Sequence, residues 1–142
     1  MIKLSLTASA LAIALALSLS AAACSGNDGE IKLDAAAAPL TDKGADALFT
    51  IEIVKARDGG YASDTIKVKV TPDGKEAIVV LCSVTDVNAS KTLDAGDKVV
   101  CIEPADNKLG VDAAGKAADV ELFATIDGSE ERIGDATWTP AK

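Results

Sequence analysis

The chain has 142 residues, with 14 basic against 22 acidic side chains for a formal charge of −8, no histidine, and four aromatic residues. That balance offers no basic patch to displace counterions, which excludes nucleic acid and disfavours anionic lipid headgroups as partners. Without histidine, Ser-His and Cys-His nucleophile activation and most zinc chemistry are excluded too.

The first charge is Lys3, followed by an apolar run from Leu4 to Leu19 dominated by Leu and Ala and softened by Ser5, Thr7, Ser9 and Ser18. As a helix this run would measure about 24 Å, short of the ~30 Å hydrocarbon core. A charged start, a short apolar middle and small residues at the end describe an export signal over residues 1–23 rather than a membrane span.

The end of that segment reads Ala21-Ala22-Ala23-Cys24-Ser25. It resembles the lipobox of bacterial lipoproteins, although Ala21 stands where that family most often has Leu. The resemblance implies cleavage before Cys24, acylation of its sulfur and new N-terminus, and attachment to a membrane. With Ser25 rather than Asp next to Cys24, the family's sorting habit implies an outer membrane where the organism has one. The competing reading is ordinary cleavage at the same place, releasing a soluble protein.

Cysteine parity bears on the choice. The chain holds Cys24, Cys82 and Cys101, and an odd thiol is a liability in an oxidising compartment. Lipidation of Cys24 leaves an even pair. Two or three acyl chains together anchor stably where one does so only marginally.

Removing residues 1–23 takes away one Lys and leaves 13 basic against 22 acidic side chains, a charge of −9. Residues 24–46 read as a flexible tether: Ser25 to Gly29 are turn formers, Ala35 to Pro39 has no periodic face, and Thr41 to Gly44 is polar. Ile31 and Leu33 form an alternating pair too short to define a strand.

Residues 47–142 then read as one β-domain. Phe49, Ile51 and Ile53 alternate with Thr50 and Glu52, and Ile66, Val68 and Val70 alternate with Lys67 and Lys69. Thr71-Pro72-Asp73-Gly74-Lys75 predicts a hairpin turn. Residues 77–82 are apolar on both faces, which predicts a central strand covered on both sides. Lys98 to Ile102, Val120 to Ile126 and Arg132 to Thr139 predict further strands, with a Gly-, Ala- and Asp-rich connection from Pro104 to Ala118.

Six or seven short strands without a helical period predict an all-β fold, a small antiparallel sandwich or a small barrel. Leu93-Asp94-Ala95-Gly96-Asp97-Lys98-Val99-Val100-Cys101 resembles a segment of bacterial immunoglobulin-like modules, with Ala95 in a Pro position. That resemblance implies an immunoglobulin-like sandwich and no particular function. It departs from true immunoglobulin domains in lacking a Trp between the cysteines and a Tyr two residues before Cys101.

Parity and compartment predict a disulfide between Cys82 and Cys101, against the alternative of two buried free thiols. Closing a loop of that size contributes about 3 kcal/mol. The sequence carries no P-loop, nucleophile elbow or dinucleotide fingerprint. Glu130-Glu131 reads as a solvated edge, and Asn88-Ala89-Ser90 as a polar loop despite matching a glycosylation sequon. Asp127, Ser129 and Glu131 place oxygens at alternate positions without the rest of a calcium loop. Most other acids, Asp97 among them, fall in turns where water keeps them ordinary. Glu103, at the end of an apolar strand, is the exception.

The expected protein is therefore a lipid-anchored envelope protein displaying a non-enzymatic binding or structural domain. It needs no cofactor or metal, and its partners are the membrane through Cys24 and an envelope protein or cell-wall component. The alternatives are a carrier of a cation or small ligand, or a hydrolase built on carboxylates alone.

Overall fold

The computed structural model describes residues 29–142 apart from residue 107. The export segment and Cys24 lie outside the described residues.

Nine strands account for the regular structure: β1 Glu30–Ala35, β2 Ala47–Lys55, β3 Tyr61–Ala62, β4 Lys67–Pro72, β5 Ile78–Thr85, β6 Thr92–Leu93, β7 Lys98–Ile102, β8 Ala118–Ile126 and β9 Ser129–Trp138. Seven form one sheet in the order β1-β2-β7-β5-β4-β8-β9. Every neighbouring pair in it is antiparallel, and the sheet rolls nearly closed into a barrel. The all-β expectation holds, with a single rolled sheet as its form.

The alternation read in the sequence becomes the inside and outside of this barrel. Phe49, Ile51 and Ile53 of β2, Val68 and Val70 of β4, Val99 and Cys101 of β7, and Val120, Leu122 and Ala124 of β8 all point inward and are buried. Barrels of about eight strands or fewer are filled by their own side chains. Phe49 and Trp138 supply the bulkiest contact, edge to face with ring centroids 5.2 Å apart. Two bulges adjust the fill. Leu48 is skipped between the pairs Ala47–Ile102 and Phe49–Cys101, and Ile133 between Leu122–Gly134 and Phe123–Arg132. Both extra residues are buried, so each bulge adds a side chain to the core.

Two sequence expectations are corrected and one holds. The stretch read as tether contains β1, whose ladder with β2 joins Ile31 to Ile53, Leu33 to Ile51 and Ala35 to Phe49. Two alternating residues suffice because β2 supplies the edge they pair with. Leu40, in the same stretch, is part of the core, so the folded domain takes in residues 30–46 as well as those from 47 on. Secondly, the hairpin between β4 and β5 is present, with Lys75 N–H donating to Pro72 C=O at 3.0 Å. Pro72 is its first residue, still paired with Ala118 of β8. The turn's left-handed position falls on Gly74 at φ 67°.

Thirdly, β5 is central but not covered on both sides. Val79 and Leu81 on its outer face are 51% and 56% exposed. A further small sheet, β3 with β6, places Tyr61 opposite Leu93 and buries both. Nothing in the polar stretch 85–97 announces it.

Antiparallel order gathers the connections at two ends. One end holds the segments 36–46, 73–77 and 103–117 and the tail after Trp138. Leu40, Leu109 and Ala113 from these segments join the core there. The other end carries the start of β1, the small sheet, and the turn Asp127-Gly128.

Candidate functional site

β5 and β7 lie side by side with Cys82 opposite Cys101, Leu81 opposite Ile102 and Ser83 opposite Val100. Because side chains alternate, the first pair faces the core and the other two face outward. Cys82 and Cys101 are joined by a disulfide, with their Cα atoms 4.1 Å apart. The expected pairing is thus present, bridging two strands that already form a ladder.

Outside the disulfide lies an apolar face. Val100 and Ile102 are 38% and 40% exposed and continue the surface begun by Val79 and Leu81. Leu81, Cys82, Ser83, Val100 and Ile102 line a shallow depression of about 210 Å³. It carries no charge and no aromatic ring. Four large aliphatic side chains left in water on adjacent strands are the kind of surface that marks an interaction site.

The neighbouring outer face, on β4, β8 and β9, is closed off by charge. Lys69 Nζ sits 4.1 Å above the Phe123 ring centre and donates to Glu130 Oε1 at 2.7 Å. Lys67 pairs with the other oxygen of the same carboxylate. These hydrogen bonds, from Lys67 first and then Lys69, hold the Glu130 carboxyl below its usual range. Glu130 is therefore an ion-pair centre rather than a loose solvated edge, while Glu121 pairs separately with Arg132.

Two buried acids bracket β7. Asp97, just before it, is 1% exposed; Oδ1 accepts from Val87 N–H at 2.8 Å and Oδ2 from Asp94 N–H at 2.7 Å. The expectation that Asp97 stands in water is overturned: it is buried and pins the 86–94 loop to the barrel. Glu103, just after β7, is fully buried. Its Oε1 accepts from Leu109 N–H at 3.1 Å and Gly110 N–H at 3.0 Å. Its Oε2 has no hydrogen-bond partner among the described residues. Burial pushes the Glu103 carboxyl above its usual range and the Asp46 charge adds to the push, against the two backbone donors.

Among the described residues no cluster of three or more His, Cys, Asp or Glu side chains is placed to hold a metal ion. Within 86–94, Asp86 accepts from the N–H groups of Asn88, Ser90 and Lys91. Asp94 takes the Ser90 and Thr92 hydroxyls, which hold its carboxyl below the usual range, Thr92 first. These oxygens are spent on the loop's own backbone and hydroxyls. Asn88 of the sequon lies in this loop, its side-chain oxygen accepting from Ser90 N–H.

The apolar face is the feature the sequence reading missed. Both β5 and β7 carry apolar residues at odd and even positions, yet the domain shows no helical period. Among the described residues no α-helix lies over the barrel, and the second apolar face is left exposed. The chain matches no protein family, no curated protein and no solved structure, so its function is read from this face and these side chains alone.

Proposed function

We propose that the protein is a lipid-anchored envelope protein whose barrel is a non-enzymatic binding module. The observation that carries the binding role is the bare aliphatic face of β5 and β7. Its chemistry fits an envelope protein better than a glycan. Sugar rings are commonly received by aromatic faces and converging hydrogen-bond donors, and this face offers neither. A filled interior supports the module over a carrier.

Cys24 in its lipobox-like setting supports the anchor. Five residues lie between Cys24 and Glu30, the first residue of β1, so the six Cα–Cα steps reach at most about 21 Å. On this reading the barrel rides close to the bilayer rather than on a long tether. Two acids with shifted carboxyls sit in ion-pair and hydroxyl settings, and Glu103 is turned under a loop, which supports the absence of acid–base catalysis.

Two experiments test this. Cys24→Ala should leave the protein unprocessed or release it from the membrane fraction. Normal membrane retention of the processed variant would remove the anchor. Leu81→Asp with Ile102→Asp should leave the fold intact by circular dichroism and abolish a higher-mass complex in native gels of solubilised envelopes. An undiminished complex, or turnover of a cell-wall or peptide substrate that Glu103→Gln abolishes without unfolding, would sink the module reading.

A further inference from the structure

The barrel end that holds segments 36–46 and 103–117 is closed by those two segments, and both meet at Glu103. Its N–H donates to Asp46 C=O at 2.8 Å, while its side chain ties down Leu109 and Gly110. The approach is tight. A Cβ on Gly44 would stand 3.1 Å from Pro104 O and 3.2 Å from Ala105 O. Gly44, Ala45 and Gly110 all have φ between 57° and 71°, the left-handed region, which costs energy at a non-glycine such as Ala45.

We propose that Glu103 and Asp46 form an acid-set latch, closed while Glu103 carries a proton and released when it loses one, so that the loop held at Leu109 and Gly110 opens the barrel end on alkalinisation. In the closed state the proton sits on Oε2, the oxygen left without a partner, and is offered toward the Asp46 carboxylate. The other oxygen keeps its two backbone donors. Loss of the proton leaves a charge on buried Glu103 with the half-buried Asp46 carboxylate acting on it.

The charged groups around Glu103 favour this direction. Asp46 is the ionisable side chain that acts on it, and it is itself held by Thr41 N–H at 2.6 Å and by the Thr41 hydroxyl. Of the flanking cations, Lys108 is paired with Asp106 at 3.1 Å on the exposed side of its loop. Lys43 lies on the exposed part of the other segment. No cation contributes to holding the Glu103 carboxyl, whose upward displacement follows from burial first and Asp46 next. The sign is that of an acid with a raised folded-state value: closure is complete at low pH and is lost as pH rises through that value. Leu109 and Ala113, buried members of the core, are what opening would expose.

The latch does not depend on the anchor or on the β5–β7 face. It is tested by hydrogen–deuterium exchange of the full-length protein from pH 5 to 8, each rate divided by the intrinsic rate at that pH. Protection of peptides spanning 103–117 should fall at least tenfold across a single step, while peptides of β8 stay constant. Glu103→Gln should make that protection flat, and Asp46→Asn should move the step to lower pH, because the ionised form is no longer repelled. A flat wild-type profile, a step that survives in Glu103→Gln, or a step unmoved or moved to higher pH in Asp46→Asn would overturn the proposal. The last arm decides even where Glu103→Gln fails to fold.

Discussion

At the scale of single residues, the two buried acids at the ends of β7 do opposite kinds of work. Asp97 serves two backbone donors with both oxygens, so nothing on it is left over. Removing it strands Val87 and Asp94 N–H groups, and each lost bond to a charged acceptor costs about 1.5–3 kcal/mol. Asp97→Ala should therefore lower unfolding free energy by about 3–5 kcal/mol in a urea titration, and Asp97→Asn by less because one acceptor survives. Glu130 makes the complementary prediction for pH. Its carboxyl is held below the ordinary range by Lys67 and Lys69, so its contribution is present above the unfolded value and is lost as pH falls through the folded one. Glu130→Gln should flatten that acid limb of the stability profile, measured as melting temperature against pH at low salt. A limb unchanged in the variant would show that Glu130 is a bystander.

At the scale of elements, what could be read from the sequence was whatever a strand's own residues decide. The period of β2, β4 and β8 is set by their alternation, and the turn after Pro72 by Gly74. The disulfide followed from parity. What could not be read was set by neighbours. Ile31 and Leu33 became a strand because β2 offered its edge, and Tyr61 and Leu93 found each other across a gap of some thirty residues. Glu103 stood out as an acid after an apolar strand, but its two backbone donors belong to a loop no periodicity describes. Asp97 was misjudged for the same reason, since its partners Val87 and Asp94 come from a loop folded back on it. The disulfide joins strands already paired, so its effect should be chiefly on the unfolded chain. Cys82→Ala with Cys101→Ala should cost about 3 kcal/mol without shifting the far-UV circular dichroism spectrum. A change of fold would mean that the bridge organises the β5–β7 ladder rather than securing it. Phe49→Ala, which removes the ring packed against Trp138, should cost about 3–5 kcal/mol.

At the scale of the whole molecule, the barrel has one outer flank laced by Lys67, Lys69 and Glu130 and another left aliphatic. A net negative protein with one aliphatic flank beside a charged one meets partners in a restricted orientation through that flank. Association through Val79, Leu81, Val100 and Ile102 should accordingly be little affected by salt. A steep loss of binding between 50 mM and 500 mM NaCl, measured by surface plasmon resonance, would place the contact elsewhere.

The line where β1 meets β9 has a mechanical consequence. Ladders run from β1 through the sheet to β9, but no ladder pairs β9 with β1 among the described residues; there the side chain of Ile31 rests on Gly134. β1 therefore hangs on β2 by one row of hydrogen bonds, while β2 is held by two. A load entering at the N-terminal side of Gly29 reaches β1 before any other strand. The domain is built to give up β1 first from that side, as a fuse does, and to keep β2 through β9 intact while it yields. Pulled by its N-terminus in an optical trap, it should lengthen first by the span of β1 and only at higher force by the rest.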